Sequence, residues 1–213
     1  MIRLQRPAFR LHGKAVAAAT CLAVLALAAF GCGSGVKVTR VDENLVTDFS
    51  GRWNDTDSRL VAEAMVRDAL ASPWLENYER SKGQQPVVIV GTVLNRSHEH
   101  INVQTFVTDL SRELTNSQKV VFVAGRGERE EIREERREQA IHSREDTQKA
   151  PGKELGADFM LKGAISSIPD ESDGVKAVFY QVDLEMVDLE TNVKAWFGQK
   201  KIKKVVERKR VGF

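Results

Sequence analysis

The chain is poor in the residues that would make it a redox, metal or disulfide protein. It has two cysteines in 213 residues. Cys21 lies inside an apolar N-terminal run, so loss of a leader would leave Cys32 alone. One thiol excludes an internal disulfide and a cysteine-rich metal cluster. Histidine is scarce as well, with four in all. Its one close pair, His98-x-His100, has no third ligand nearby and reads as a solvated or capping element rather than a metal site. No apolar run reaches membrane length. Ala15–Phe30, broken only by Thr20, falls short of the roughly 20 residues a spanning helix needs. Charge of one sign is missing too. The formal net charge is +2 from 32 basic and 30 acidic residues, and Arg3, Arg6, Arg10 and Lys14 belong to the leader. The remainder is slightly acidic, which gives no general reason to expect nucleic-acid binding. Gly125-x-Gly127 lacks the rest of a phosphate-binding fingerprint, and no Ser/His/Asp arrangement stands out. These absences point away from an enzyme, and toward a protein with no catalytic residue, no cofactor, no metal and no small-molecule substrate.

What is present begins with the leader. Met1–Lys14 is a basic n-region, and the short apolar run behind it suits a secretory signal. It closes on Leu27-Ala28-Ala29-Phe30-Gly31-Cys32, which resembles a bacterial lipobox, although Ala29 stands where such signals usually carry an aliphatic residue. On this reading residues 1–31 are a lipoprotein signal peptide and Cys32 becomes a lipid-modified (palmitate-type acyl) N-terminus. An ordinary cleaved signal or an uncleaved anchor is the alternative. Residues 32–44 form a short tether without proline, and residues 45–213 form one globular domain. About 15 residues reach at most roughly 50 Å when extended and about 20 Å as a coil, so the domain stays close to its membrane. Gly33 after the cysteine suits outer-membrane sorting, with the domain facing the periplasm.

The body alternates helical and strand patterns. Asp55, Thr56 and Asp57 can cap a helix over Ser58–Ala71, whose apolar residues Leu60, Val61, Ala64, Met65 and Ala69 recur at helical spacing. Ser72-Pro73 ends it. Trp74, Leu75 and Tyr78 form a short apolar turn. Trp53 reads as a wedge between the incoming chain and this helix. Pro86–Val93 is a β-branched strand covered on both faces, and Leu94–Ile101 is a polar loop. Asn102 caps a helix over Val103–Asn116 with a stripe of Val103, Phe106, Val107, Leu110 and Leu114. Lys119–Val123 is a short strand. Gly127–Glu145 is a helix of Arg and Glu with few apolar anchors, hence a solvated arm. Thr147–Leu155 makes a brief helical turn closed by Gly156 in the left-handed region. Three strands follow, Ala157–Ile168, Val175–Val187 and Val193–Ile202, with Asp170–Gly174 as a hairpin loop. In the middle strand Val178, Tyr180, Val182, Leu184 and Met186 face one way and Gln181, Asp183 and Glu185 the other, the alternation of a sheet with one wet face. The basic tail Lys200–Arg210 reads as a solvated strand end. The fold class is therefore α/β (α+β): a mixed sheet of about five strands with a C-terminal antiparallel meander and helices packed against it.

Three stretches resemble one family. They are Pro86–Val90 followed by Asn95-x-Ser97-x-Glu99-His100-Ile101; Gly152-Lys153-Glu154-Leu155-Gly156-Ala157-Asp158-Phe159-Met160-Leu161-Lys162-Gly163; and Val187–Thr191 followed by Trp196 and Lys201-Ile202. With the lipobox they resemble the LpoB family, outer-membrane lipoprotein activators of bifunctional penicillin-binding proteins, related to the CsgG and TolB N-terminal domains. The resemblance covers about Trp53 to Lys203. It implies a non-catalytic domain that binds a peptidoglycan synthase and activates it allosterically. It also implies that Asp158, Gly156 and Gly163 are architectural. The alternative it leaves is a CsgG-like oligomeric lipoprotein of an envelope or secretion assembly. The exposed partner contacts expected on this chain are Arg96, His98, Glu99 and His100. The family's long Pro-rich linker is not matched here.

Replacing Cys32 by Ala is expected to release the domain from membranes without unfolding it. Membrane fractionation and metabolic lipid labelling check this; labelling that persists in Cys32→Ala would overturn the lipobox reading.

Overall fold

The computed structural model describes residues 38–42, 45–46, 48–172 and 174–207. The leader, Cys32, most of the tether and the end of the basic tail lie outside them. The chain divides into two units, residues 1–43 and 44–213, and the second carries every described helix and strand.

That unit contains four helices, α1 (Asp55–Ala71), α2 (Pro73–Lys82), α3 (Val103–Ser117) and α4 (Arg126–His142), and five strands, β1 (Val87–Arg96), β2 (Val121–Phe122), β3 (Phe159–Ser172), β4 (Val175–Asp188) and β5 (Lys194–Glu207), among the described residues. The strands form one mixed sheet in the order β2-β1-β3-β4-β5. β1 lies parallel to β2 and β3, and β3, β4 and β5 make the antiparallel meander. This is the α+β architecture the alternation predicts.

The sheet buries one face. Val178, Tyr180, Val182, Leu184 and Met186 of β4 are all but inaccessible, and their neighbours Leu161 and Ile165 of β3 join them. Helices α1 and α3 lie against this row, α1 on β4 and β5, α3 on β1 and β2. α3 contributes Phe106, Leu110 and Leu114, each fully buried. α1 contributes Val61, Ala62, Met65, Val66, Ala69 and Leu70. The buried arc of α1 is thus turned from the stripe expected: Leu60 is exposed and Ala62 and Val66 are covered. Both stripes have helical period, and only the facing sheet selects between them. Gly163 sits where a Cβ would collide with the Asp183 carbonyl oxygen and the Leu184 side chain, so β3 and β4 can approach only over a glycine there.

Several local expectations shift. The cap of α1 is Asn54, whose side chain accepts from the Asp57 N–H while Asp57 accepts from the Asn54 N–H, a reciprocal capping box. The helix starts three residues before the expected Ser58. The apolar turn after Pro73 is a helix in its own right: Pro73 occupies its first turn and Gly83 closes it at φ 68°. Its Trp74 and Tyr78 rings pack on Phe159, 4.9 and 5.4 Å between centroids. β1 runs through Leu94, Asn95 and Arg96, which were expected in a loop, because each pairs with β3. No helical turn forms over Thr147–Leu155, and Gly156 is not left-handed; the left-handed glycine of that connection is Gly152, at φ 73°. β3 and β4 pair up to Ser172 and Val175, so the hairpin loop is shorter than Asp170–Gly174. The α4 arm buries no residue. It is clamped to the following connection by Arg133 and Arg136, which both bond Glu154 and pull its carboxyl down to about 2.

The tail contains the largest departure. β5 continues to Glu207, and Lys204, expected in a solvated strand end, is only 8% exposed. Its ammonium donates to Asp57 Oδ2 at 2.5 Å, Asp48 Oδ1 at 2.7 Å and the Arg52 carbonyl at 3.0 Å. Burial works against the charge, but the Asp48 and Asp57 bonds outweigh it and hold the Lys204 pKa above its ordinary value. A raised lysine pKa stabilises the fold at every pH below the ordinary lysine range and is lost only as pH climbs through the folded value. Lys204 and Asp48 thereby fasten the incoming chain to the last strand. Replacing Lys204 by Ala leaves the buried Asp57 carboxylate without its cation and is expected to cost about 3 kcal/mol, read as a lowered midpoint in urea at neutral pH. An unchanged midpoint would remove Lys204 from this role.

Candidate functional site

The loop after β1 is built by its own polar side chains. Asn95 donates its amide to the Glu99 carbonyl at 2.8 Å and accepts from the Ser97 N–H at 2.9 Å. The Glu99 N–H in turn lies 3.2 Å from Ser97 Oγ. These short-range bonds favour a tight turn over a continued strand. Asn102 then caps α3 by accepting from the Gln104 N–H at 3.1 Å.

The four candidate contacts do not share one surface role. Arg96 ends β1 and is exposed. His98 is tied to β3: its N–H donates to Ser167 Oγ at 3.0 Å, and Nδ1 lies 2.6 Å from the same oxygen. Its Nε2 stands 3.4 Å from Glu99 Oε1. His100 is exposed. Glu99, expected outward, turns in. It accepts the Trp53 N–H on Oε2 at 3.2 Å and the Tyr180 hydroxyl on Oε1 at 2.6 Å. Tyr180 Oη also lies 2.9 Å from the Gly51 carbonyl oxygen. Burial first, and then the Glu99 carboxylate, push the Tyr180 hydroxyl well above the ordinary phenol range, so it stays a proton donor at every working pH. Trp53 closes the cluster, with its ring edge-on to Phe106 at 6.1 Å and Tyr180 at 5.7 Å. It wedges the incoming chain against the core, as its position before α1 predicts.

Glu99, Tyr180 and Lys204 therefore hold the segment from Asp48 to Asp57 from three sides. By sequence Lys204 lies in a basic tail that reads as a solvated strand end and Tyr180 in an alternating apolar row, and neither pattern signals a bond to the incoming chain. A lysine on the inward parity of β5, opposite Val178, was the one available signal. Asp158 holds the start of the sheet: its Oδ2 accepts the Val87 N–H at 2.7 Å, its N–H donates to the Val87 carbonyl at 2.7 Å, and its carbonyl accepts from Leu189 at 2.9 Å. Within the Gly-Ala-Asp motif, it is Asp158 that carries an architectural role in this chain.

Chemically, this is a polar cluster committed to backbone and to itself. Among the described residues no group of three or more His, Cys, Asp or Glu is placed to hold a metal ion, and no helix is long and apolar enough to cross a membrane. On the wet face of the sheet, beside Arg96, lies an open groove of about 580 Å³ between Leu94 and Phe197.

The fold is thus a one-sided α+β sheet whose polar cluster serves architecture and whose free surface is a groove. The family model of the peptidoglycan-synthase activator LpoB matches residues 57–202. The chain belongs to that family, one of activators of peptidoglycan synthases. Among solved structures it is similar to the LpoB C-terminal domain from Escherichia coli, 16% identical over 68% of this chain and 98% of that one, TM-score 0.40. It is also similar to the NMR structure of E. coli LpoB, 12% identical over 97% of this chain and 91% of that one, TM-score 0.39. Lipoprotein GNA1162 from Neisseria meningitidis is 11% identical over 59% of this chain and 88% of that one, TM-score 0.36. No curated protein matches significantly.

Glu99→Ala is expected to destabilise the domain by about 2 kcal/mol, since the Tyr180 hydroxyl and Trp53 N–H lose their acceptor. His100→Ala should stay within about 0.5 kcal/mol. Urea unfolding, with hydrogen exchange at Gly51–Trp53, tests both; equal effects of the two substitutions would refute the inward role of Glu99.

Proposed function

We propose that this protein is a lipid-anchored activator of a bifunctional penicillin-binding protein. Cys32 carries the acyl chains, the tether holds the domain at the outer membrane facing the periplasm, and the domain binds the peptidoglycan synthase and favours its active conformation. The observation that supports this most is the family match, which spans residues 57–202 and so takes in β1 to β4, most of β5 and nearly all of the helices packed on them. Activation on this reading is allosteric. The protein supplies no reacting group, and a binding partner shifts an enzyme's equilibrium only by its differential affinity for the active state.

The tether sets the geometry. Stable anchoring takes more than one acyl chain, and about 15 residues behind such an anchor extend at most roughly 50 Å. The domain therefore meets its synthase close to the anchoring membrane, and the synthase provides the remaining reach. Partner contacts among the sequence candidates fall to the exposed Arg96 and His100, while His98 and Glu99 shape the loop between them.

The acylated full-length protein in detergent is expected to bind a bifunctional synthase from the same cell and raise its glycan polymerisation several-fold. Polymerisation of a fluorescent lipid-linked precursor reads this directly. Absence of both binding and stimulation with every bifunctional synthase of the cell would reject the proposal.

A further inference from the structure

The sheet has two faces and uses its helices on one. On the other, β1, β3, β4 and β5 present Leu94, Met160, Lys162, Glu185, Phe197 and their neighbours to an open groove of about 580 Å³. The register fixes this placement. Leu94 pairs with Ala164, Lys162 with Glu185 and Glu185 with Phe197, all on the parity opposite to the buried row. Phe197 is 57% exposed and Leu94 45% exposed. A large aromatic left in water on a sheet face, beside a groove, is the composition of an interface anchor.

The charges around it are unequal. The two acids on this face of β4 are satisfied internally. Glu185 is bound by Lys194 at 2.5 Å and Lys162 at 3.4 Å, and Asp183 accepts the side-chain amides of Gln181 and Gln199. Arg96, Lys201 and Lys203 are exposed, and among the described residues none of them forms an ion pair. Lys201 and Lys203 share the parity of Phe197, paired with Gln181 and Phe179. The face therefore offers an apolar centre with a surplus of uncommitted cations at its edges. Its complement is a surface with apolar groups ringed by carboxylates.

The geometry points to this groove as the docking surface for an acidic, partly apolar surface of the synthase, with Phe197 as the anchor and Arg96, Lys201 and Lys203 as the steering charges. The inference rests on the activator reading and assigns it a face. The opposite face is filled by α1 and α3, and the incoming chain is fastened along β5 by the buried Lys204, so neither competes for the groove. Opposite charges at an interface rim govern association rate and its salt dependence more than the final affinity, whereas a buried aromatic governs dissociation.

The test measures binding of the acylated full chain to the bifunctional synthase by surface-immobilised kinetics. Phe197→Asp should weaken binding at least tenfold, chiefly through faster dissociation. Lys201→Glu with Lys203→Glu should slow association at least fivefold and flatten its dependence on salt. Arg126→Glu, on the exposed arm, should change either rate by less than twofold. Unchanged thermal unfolding of the charge-reversed variant separates its effect from misfolding. Wild-type protein that binds, with both groove variants binding equally well, overturns the groove while leaving the activator reading intact. Wild-type protein that binds no synthase overturns both. Self-association of the wild type that the groove variants abolish, or flotation with anionic vesicles lost in Lys201→Glu/Lys203→Glu while synthase binding persists, assigns the face to another occupant and overturns the proposal.

Discussion

The structure depends on burial of the sheet from one side. The inward row of β4, from Val178 to Met186, is covered by α1 and α3 and excludes solvent almost completely. At about 25 cal/mol per Å² of apolar area removed from water, a continuous row of this kind is the main source of stability that the chain has. Everything else is arranged around it. Gly163 lets β3 approach β4, Trp53 seals one end of the row and Trp74 with Phe159 the other. The same constraint leaves the second face of the sheet, among the described residues, with no helix of comparable packing, and the groove lies there.

Three polar residues join the core to the start of the domain. Glu99, Tyr180 and Lys204 come from a loop, from β4 and from the edge strand β5, and all bind the segment that leads into α1. Buried polar groups are costly unless satisfied, and these satisfy one another: Asp57 caps the helix and also receives the lysine, while the tyrosine donates to the glutamate. The segment through which the chain enters α1 is therefore bonded directly to the core.

Family membership and packing bear on function in different ways. The match over residues 57–202 ties the chain to activators of peptidoglycan synthases. The packing explains why the polar residues in its most telling motifs are scaffolding. Asp158 fastens three strand ends and Glu99 fastens the incoming chain, so a partner meets neither as a free carboxylate. Among the described residues, the wet face of the sheet offers a partner exposed apolar side chains, Leu94 and Phe197, beside uncommitted charge.

Periodicity alone determined the order of the strands and of the three longer helices, the meander and the inward row of β4, because each follows from a local pattern of period 2 or 3.6 that survives folding. It also determined the stripe of α3, where Phe106, Leu110 and Leu114 leave no second choice of face. The tertiary structure decided what depended on distant partners. The arc of α1 was ambiguous between two adjacent stripes until the sheet chose one. Trp74 to Tyr78 became a helix because Phe159, far along the chain, gave its aromatic face something to cover. Gly152 rather than Gly156 took the left-handed turn once β3 had fixed where the connection must end. Lys204 and Glu99 illustrate the limit most clearly. Both are charged residues in polar surroundings by sequence, and only the packing of α1, the loop and β5 around the incoming chain turned them from solvated side chains into its fastening.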